Sequence, residues 1–281
     1  MLKASVVAGV IMAGGRGRRA NDPEKCLWPL CGIPLLFRVA GALAQVAEEL
    51  IVLTTKNHAR IAKYAEAWGI KVVYTPGEGY ERDVQFAVKF APAFIASCDL
   101  ANLKPGHLEA LANNAVFTTA VTKDGYPGLS YLPTPDMEKW SVVELGDLYD
   151  VDTPEDFEKA ERECPTAYPL NADPNLLKPH EEVLEFRKYE VVKPIAVDYK
   201  TGVILDGHHR YAFLKNFKAV PVLLFDYDVI ETNIDRRVIL QAAYSGRLLP
   251  PKTTWHTYRG RHISQIPTID VPIAKLLKSQ L

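Results

Sequence analysis

Between residues 5 and about 160, short apolar runs alternate with segments of helical spacing, and this rhythm constrains the chain more than any other feature. The runs at 5–12, 50–54, 71–74, 93–97 and 116–121 are rich in β-branched or aromatic residues and predict parallel strands. The stretches at 34–47, 57–68, 81–90 and 105–113 have the apolar spacing of helices packed on a sheet. The expected class is α/β, a doubly wound, Rossmann-like sheet followed by a smaller α+β domain. Such sheets bind ligands at the carboxyl ends of their strands, which directs attention to the residues after Met12 and Ser97.

Thr153-Pro154-Glu155-Asp156 supplies an N-cap, a proline at the first helical position and acids in the first turn, and predicts a helix to about residue 163. The texture then changes. Pro165, Pro169, Asn171, Asp173-Pro174-Asn175 and Pro179 read as a link without regular structure, so a domain boundary is expected near residue 165, separating 1–164 from 165–281. The second domain predicts a helix over 181–189, strands at 195–198 and 203–206 joined by Lys200-Thr201-Gly202, a helix over 209–217 and a strand at 220–227. A further helix is expected to end at Tyr244-Ser245-Gly246. The chain has no internal repeat and no low-complexity tract.

Lys+Arg 33 against Asp+Glu 34 gives a net charge of −1. There is no global positive field of the kind that drives binding to nucleic acid or anionic membrane, so any phosphate recognition must be local. The apolar stretch 6–13 is too short to span a bilayer, and its cationic cluster follows it, which argues against a signal peptide despite Lys3. Cys26, Cys31, Cys98 and Cys164 include no Cys-x-x-Cys pair and do not make a disulfide scaffold, so a cytoplasmic location is expected. The 5 Gln and 3 Met fit a thermophilic source, where an intracellular disulfide would be less surprising.

The loop after the first strand reads Gly14-Gly15-Arg16-Gly17-Arg18-Arg19, with Lys25 shortly after. Glycines let the backbone approach an anion, and Arg and Lys neutralise the charge that builds on a phosphoryl group during transfer. The loop is neither a Walker A sequence nor a dinucleotide fingerprint. Asp99 ends the strand at 93–97, and Asp152 lies ahead of the helix cap. Hard divalent cations that bridge phosphates take one or two carboxylates, a role open to both, with a strand-end turn and a cap neighbour as the plain alternatives.

With Pro29-Leu30-Cys31-Gly32 added, the run from residue 11 to 25 resembles the MobA-like nucleotidyltransferases. Gly77-Glu78-Gly79-Tyr80-Glu81-Arg82-Asp83 and Ser97-Cys98-Asp99-Leu100-Ala101-Asn102-Leu103-Lys104 narrow this to the archaeal GTP:adenosylcobinamide-phosphate guanylyltransferases, over about residues 8–162. The resemblance implies that the loop glycines, Arg19 and Lys25 hold the GTP phosphates. Asp99 and Asp152 would bind Mg²⁺, and the acceptor phosphate would attack the α-phosphorus. Where the family loop has Thr or Ser before its arginine, this chain has Arg18. The segment 124–140 carries no motif to which acceptor binding can be assigned.

The second domain holds three polar clusters. Asp206-Gly207-His208-His209-Arg210 is a strand end, a glycine turn and a helix start, and free N–H groups with cationic side chains there form a phosphate cradle. Adjacent histidines do not share a helical face, which argues against one metal bound by both. In Lys178-Pro179-His180-Glu181, Glu181 is either a helix dipole partner or a general base. Lys252-Thr253-Thr254-Trp255-His256 adds a cation, two hydroxyls and a histidine. Together the clusters resemble the free-serine kinases of the ParB/sulfiredoxin-like superfamily. That likeness implies that Glu181 activates an amino-acid hydroxyl while Asp206, His208, His209, Arg210, Thr253 and Thr254 bind phosphates, with Mg²⁺ and ATP or ADP as donor.

Joined in one chain, the two resemblances imply a bifunctional enzyme of cobamide nucleotide-loop assembly. It would combine guanylyl transfer from GTP to adenosylcobinamide phosphate with phosphorylation of L-threonine. The alternatives are a free L-serine kinase fused to a nucleotidyltransferase of another pathway, and a ParB-like nucleic-acid-binding module, which the neutral charge disfavours.

Overall fold

The computed structural model of the protein describes residues 7–278, without the side chains of Tyr80 and Lys278. Lys3, Ser5 and Val6 lie outside the described residues. The chain divides into two compact units. One comprises residues 7–30 and 35–165, the other residues 31–34 and 166–278, within the described range.

The first unit is built from β1 (Ala8–Met12), α1 (Leu35–Leu43), β2 (Glu49–Thr54), α2 (Ala59–Ala67), β3 (Lys71–Tyr74), α3 (Tyr80–Ala87), β4 (Ala93–Ser97), α4 (Pro105–Ala112), β5 (Phe117–Val121), β6 (Leu129–Leu132), β7 (Trp140–Glu144) and α5 (Pro154–Glu163). Its seven-stranded sheet has the order β3-β2-β1-β4-β6-β5-β7. β1 is buried along its whole length, as a central parallel strand covered on both faces must be, and it pairs in parallel with β2 and β4. The expected doubly wound α/β class holds. The five strands expected to be parallel share one direction, but the sequence reading lacked β6, which lies between β4 and β5 and is antiparallel to both. The sheet is mixed, and β6 comes from the segment in which the sequence carried no motif.

Strand order reverses across β1, because the chain leaves it toward β2 and β3 and returns on the other side as β4. Such a switch opens a crevice at the strand carboxyl ends. The register sets Met12 beside both Leu53 and Ser97, so the loops after β1 and β4 emerge together. α5 begins as its sequence dictates: Thr153 accepts the Asp156 N–H, Asp156 accepts the Thr153 N–H, and Pro154 occupies the first turn.

The second unit contains a four-stranded sheet of order β8-β11-β9-β10, from β8 (Leu170–Ala172), β9 (Ile195–Asp198), β10 (Ile204–Asp206) and β11 (Val220–Phe225). α6 (His208–Leu214) follows β10, and α7 (Arg236–Ser245) precedes a three-residue strand at His256–Tyr258. Two expectations fail. The proline-rich link is not irregular throughout, because β8 pairs antiparallel with β11, and the prolines flank those three residues without interrupting them. The helix over 181–189 does not form. Its apolar residues have no core to face, Leu184 being 78% and Phe186 66% exposed, and short helices without packing are marginal in water. The backbone instead pairs with a distant strand partner: Leu249 N–H donates to the His180 carbonyl and Glu182 N–H to the Leu249 carbonyl. No helix among the described residues is long and apolar enough to cross a membrane.

Candidate active site

The first unit gathers its sequence-singled residues at the carboxyl edge of β1 and β4. Gly17 turns the loop with φ +55°, and a Cβ there would lie 1.8 Å from the Asp22 carbonyl oxygen, so only glycine fits. This turn carries Arg16, Arg18 and Arg19 outward, where their guanidinium groups are exposed. Lys25 is drawn inward. Its Nζ lies 2.6 Å from Asp99 Oδ2 and 2.9 Å from Asp152 Oδ1, and donates to the Val151 carbonyl at 3.0 Å. Arg19 pairs with the other oxygen of Asp152 at 2.5 Å, and Ser97 Oγ donates to Asp99 Oδ1 at 2.5 Å.

The electrostatics follow from burial and crowding. Desolvation alone would lower the Lys25 pKa, but Asp99 and Asp152 outweigh it and hold it above the ordinary lysine value. Burial pushes Asp150 up to about 6, with the Asp152 and Asp99 carboxylates adding to the shift. Two carboxylates thus share the Lys25 ammonium, Arg19 adds a second cation at Asp152, and Asp150 stands close enough to both carboxylates to feel their charge. Among the described residues no group of three or more His, Cys, Asp and Glu side chains forms a metal cage. Magnesium bound through phosphates does not need one, since one or two carboxylates plus phosphate and water oxygens suffice.

Three open cavities run along this edge. One of about 300 Å³ is lined by Gly15 to Arg19 together with Lys25, Asp99 and Asp152. A second, of about 440 Å³, shares Gly15, Arg16 and Arg18 with it and extends to Gly14, Gly77, Gly79 and Asp83. The third, of about 340 Å³, shares Arg19 and Asp152 with the first and is walled by Thr122, Asp124, Tyr126, Tyr149, Asp150 and Lys159. Sequence reasoning missed this third wall. Apart from Arg19, its residues come from the β5–β6 turn, the segment before α5 and α5 itself, and the sequence had marked only Asp152 and the Thr153 and Asp156 cap among them.

The two cysteines of this region are not free thiols. Cys26, next to Lys25, forms a disulfide with Cys98, next to Asp99. The strand register explains the pairing, because Cys98 N–H donates to the Met12 carbonyl and the two loops leave the sheet side by side.

In the second unit the three polar clusters meet. Glu181 sits in a β-bridge to Leu249, not in a helix, and its carboxylate accepts from Lys252 N–H at 3.2 Å, Thr254 N–H at 2.6 Å and Thr254 Oγ1 at 2.5 Å. Thr253 Oγ1 donates to the Pro250 carbonyl at 2.5 Å. Gly207 adopts φ +112°, and a Cβ there would press on the Arg210 guanidinium, which reaches back to Asp206 and to the carbonyls of Lys193 and Pro194. His209 Nδ1 lies 3.2 Å from the Glu185 carbonyl oxygen.

Two histidines of these clusters lie in the interior. His208 is buried, its Nε2 accepts the His180 N–H at 3.2 Å, and burial together with cationic neighbours holds its pKa well below the usual value. His256 is 1% exposed, hydrogen-bonded to the Tyr227 hydroxyl at 3.0 Å, and burial lowers it to about 3. Both are neutral interior groups at pH 7 rather than phosphate cations. His180, lowered to about 4 by burial, contacts Thr254 Oγ1 at 2.9 Å through Nε2.

Comparison with known proteins finds a family match in the N-terminal region. The family described as the MobA-like NTP transferase domain matches residues 9–143. The chain is 29% identical over 123 residues to an adenosylcobinamide-phosphate guanylyltransferase from Methanocaldococcus jannaschii, covering 41% of this chain and 63% of that protein. It is 33% identical over 67 residues to a molybdenum cofactor guanylyltransferase from Burkholderia vietnamiensis, covering 24% and 33%. The chain therefore spans less than two thirds of either relative. Further along, 66 residues are 36% identical to a ParB-like protein from Sulfolobus acidocaldarius, covering 20% of this chain and 33% of that one. A solved structure, the CTP:phosphocholine cytidylyltransferase of Streptococcus pneumoniae, superposes on 56% of this chain and 99% of its own with a TM-score of 0.46 at 14% identity. The N-terminal region of this chain is thus a MobA-like NTP transferase domain with an adenosylcobinamide-phosphate guanylyltransferase as a homologue.

Proposed function

We propose that the first unit is a guanylyltransferase that transfers GMP from GTP to adenosylcobinamide phosphate. The observation that carries this reading is the Lys25 ammonium fixed between Asp99 and Asp152 in a cavity edged by Gly15 to Arg19. In this reading the triphosphate lies along the glycine-arginine turn, where N–H groups and guanidinium ions offset its charge. The acceptor enters from the side of Tyr126 and Tyr149. Its phosphate oxygen attacks the α-phosphorus, a new P–O–P link forms, the bond to the bridging oxygen breaks, and pyrophosphate leaves. Asp99 and Asp152 would hold Mg²⁺, which supplies charge neutralisation to the phosphates. Lys25 and Arg19 orient the reacting oxygens, and Arg18 adds a further positive charge at the loop.

The test is to incubate the full chain with GTP, Mg²⁺ and adenosylcobinamide phosphate. Guanylylated corrinoid and one equivalent of pyrophosphate are expected, and Asp99→Ala should abolish both. Guanylylation of molybdenum cofactor but not of the corrinoid would move the acceptor to that of the second relative. Absence of transfer to either would overturn the reading.

For the second unit we propose phosphorylation of the hydroxyl of free L-threonine, with L-serine as the alternative acceptor and ATP or ADP as donor. What supports it is the meeting of motifs up to 73 positions apart, Glu181 with Thr254 and His180 with His208. The hydroxyl oxygen would attack the terminal phosphorus while Glu181 takes its proton, the bond from that phosphorus to the bridging oxygen would break, and ADP would leave from ATP or AMP from ADP. Each amino acid is to be offered with each nucleotide and the phosphorylated product sought. Glu181→Gln should remove this activity and leave guanylyl transfer intact, and a protein that forms neither phosphoamino acid would end the proposal.

A further inference from the structure

Asp83 lies in the fourth position of α3, is 7% exposed, and its Oδ1 is buried without a hydrogen-bond partner among the described residues. A buried carboxylate oxygen without a donor is costly and rare in folded proteins, and it calls for a reason. Its Oδ2 lies 3.5 Å from where a Cβ on Gly14 would be, so the carboxylate is aimed at the bare backbone of the loop. Asp83 also lines the 440 Å³ cavity.

That cavity shares Gly15, Arg16 and Arg18 with the one that holds the Lys25 cluster, but contains neither Lys25 nor Asp99 nor Asp152. A triphosphate carries acceptors only, so a carboxylate repels it, and its place is with the cations. The nucleoside end then falls in the larger cavity. Asp83 needs donors, and among the four common bases only guanine presents two adjacent ones, N1–H and the exocyclic N2–H₂, at the spacing of two carboxylate oxygens. Adenine and cytosine set a ring acceptor beside their amino group, and uracil flanks its N–H with carbonyls.

We propose that Asp83 is the residue that selects guanine, accepting N1–H and N2–H₂ with its two oxygens. The proposal rests on the guanylyltransferase reading of this site and deepens it. It makes a prediction that a structural role for Asp83 does not. An amide at this position offers one acceptor and one donor, the complement of xanthine, whose N1–H is followed by a carbonyl at C2.

Binding of GTP, ITP, XTP and ATP to the full chain is measured by calorimetry for the wild type and Asp83→Asn. The wild type is expected to bind GTP about tenfold more tightly than ITP, which lacks the exocyclic amino group. Asp83→Asn is expected to lose at least a hundredfold for GTP and to prefer XTP, inverting the order. The inference is overturned if wild-type protein binds GTP and ITP equally. It is also overturned if Asp83→Asn keeps the wild-type order, weakens all four nucleotides alike, or responds to removal of a ribose hydroxyl from GTP instead of to the base. The wild-type GTP to ITP ratio decides the matter even if the variant does not fold. If the wild type transfers guanylyl groups but fails these comparisons, only the role of Asp83 falls; if it binds no nucleoside triphosphate, the function proposed for the unit falls with it.

Discussion

Cys26 and Cys98, 72 positions apart, are joined by a disulfide, and their chain neighbours Lys25 and Asp99 form an ion pair at 2.6 Å. The crosslink therefore sits directly behind the central charge pair of the proposed site and limits how far its two loops can part. Closing a loop of this size removes roughly 4 kcal/mol of denatured-state entropy on the chain-entropy account, with measured effects usually about 2–4 kcal/mol. Cys26→Ser with Cys98→Ser, or reduction of the wild type, should shift denaturant unfolding by that amount. It should also lower kcat for guanylyl transfer more than it raises KM for GTP, because the phosphate loop itself is untouched. Unchanged unfolding and unchanged kcat after complete reduction would contradict this.

Lys25 is the counter-charge for Asp99 and Asp152, both largely buried. Lys25→Met removes the positive partner and keeps the stem, leaving two carboxylates close together with Asp150 beside them. Removing one member of such a buried pair typically costs about 3 kcal/mol. The expected result is a less stable protein with no transferase activity, in which millimolar Mg²⁺ raises Tm more than it does in the wild type, since the cation takes the vacated role. Equal Mg²⁺ responses in the two proteins would show that the acidic pair does not attract the ion.

What the sequence disclosed follows the range of the physics involved. The cap of α5 obeys a rule spanning four residues, and Thr153 and Asp156 carry it out as read. β1, and β4 up to its last residue Ser97, are apolar because both faces are covered, so they too were legible, as was Asp99 at the edge. β6 was not, because Leu129-Ser130-Tyr131-Leu132 becomes a strand only through pairing with β4 and β5, neither of which is adjacent in sequence to it. The absent helix at 181–189 has the same origin, since a strand partner at Leu249 settles the backbone of His180 and Glu182. His208 and His256 look cationic on paper, and only burial makes them neutral.

Two glycines of the phosphate loop separate structural from functional need. Gly17 has φ +55° and no room for a Cβ, whereas the Cβ of an alanine at Gly15 would meet nothing within 4 Å. Gly17→Ala should destabilise the unit by about 1–3 kcal/mol and abolish transfer. Gly15→Ala should leave stability within about 0.5 kcal/mol of the wild type. Because Gly15 lines both the 300 Å³ and the 440 Å³ cavities, in which the triphosphate and the nucleoside are proposed to lie, that variant should still raise KM for GTP severalfold. A Gly15→Ala enzyme with wild-type KM would place the nucleotide elsewhere.

The second unit should be sensitive to mild acid through its buried histidines. His180 is lowered to about 4 and His256 to about 3, chiefly by burial, against about 6.5 in an unfolded chain. The folded state refuses protons that the unfolded state takes up, so the stability is complete above about pH 6.5. It is lost as pH falls toward the folded pKa values, and because His208 is likewise held well below its ordinary value the slope approaches three protons. At pH 4.5 each histidine has given up roughly 2–3 kcal/mol relative to neutral pH. Denaturant unfolding followed between pH 7.5 and 4.5 should show this decline, and His256→Gln should remove about a third of the slope while preserving a polar partner for Tyr227. A pH-independent unfolding free energy between 6.5 and 4.5, or a slope unaffected by His256→Gln, would mean that these rings are reached by solvent and titrate in the folded protein.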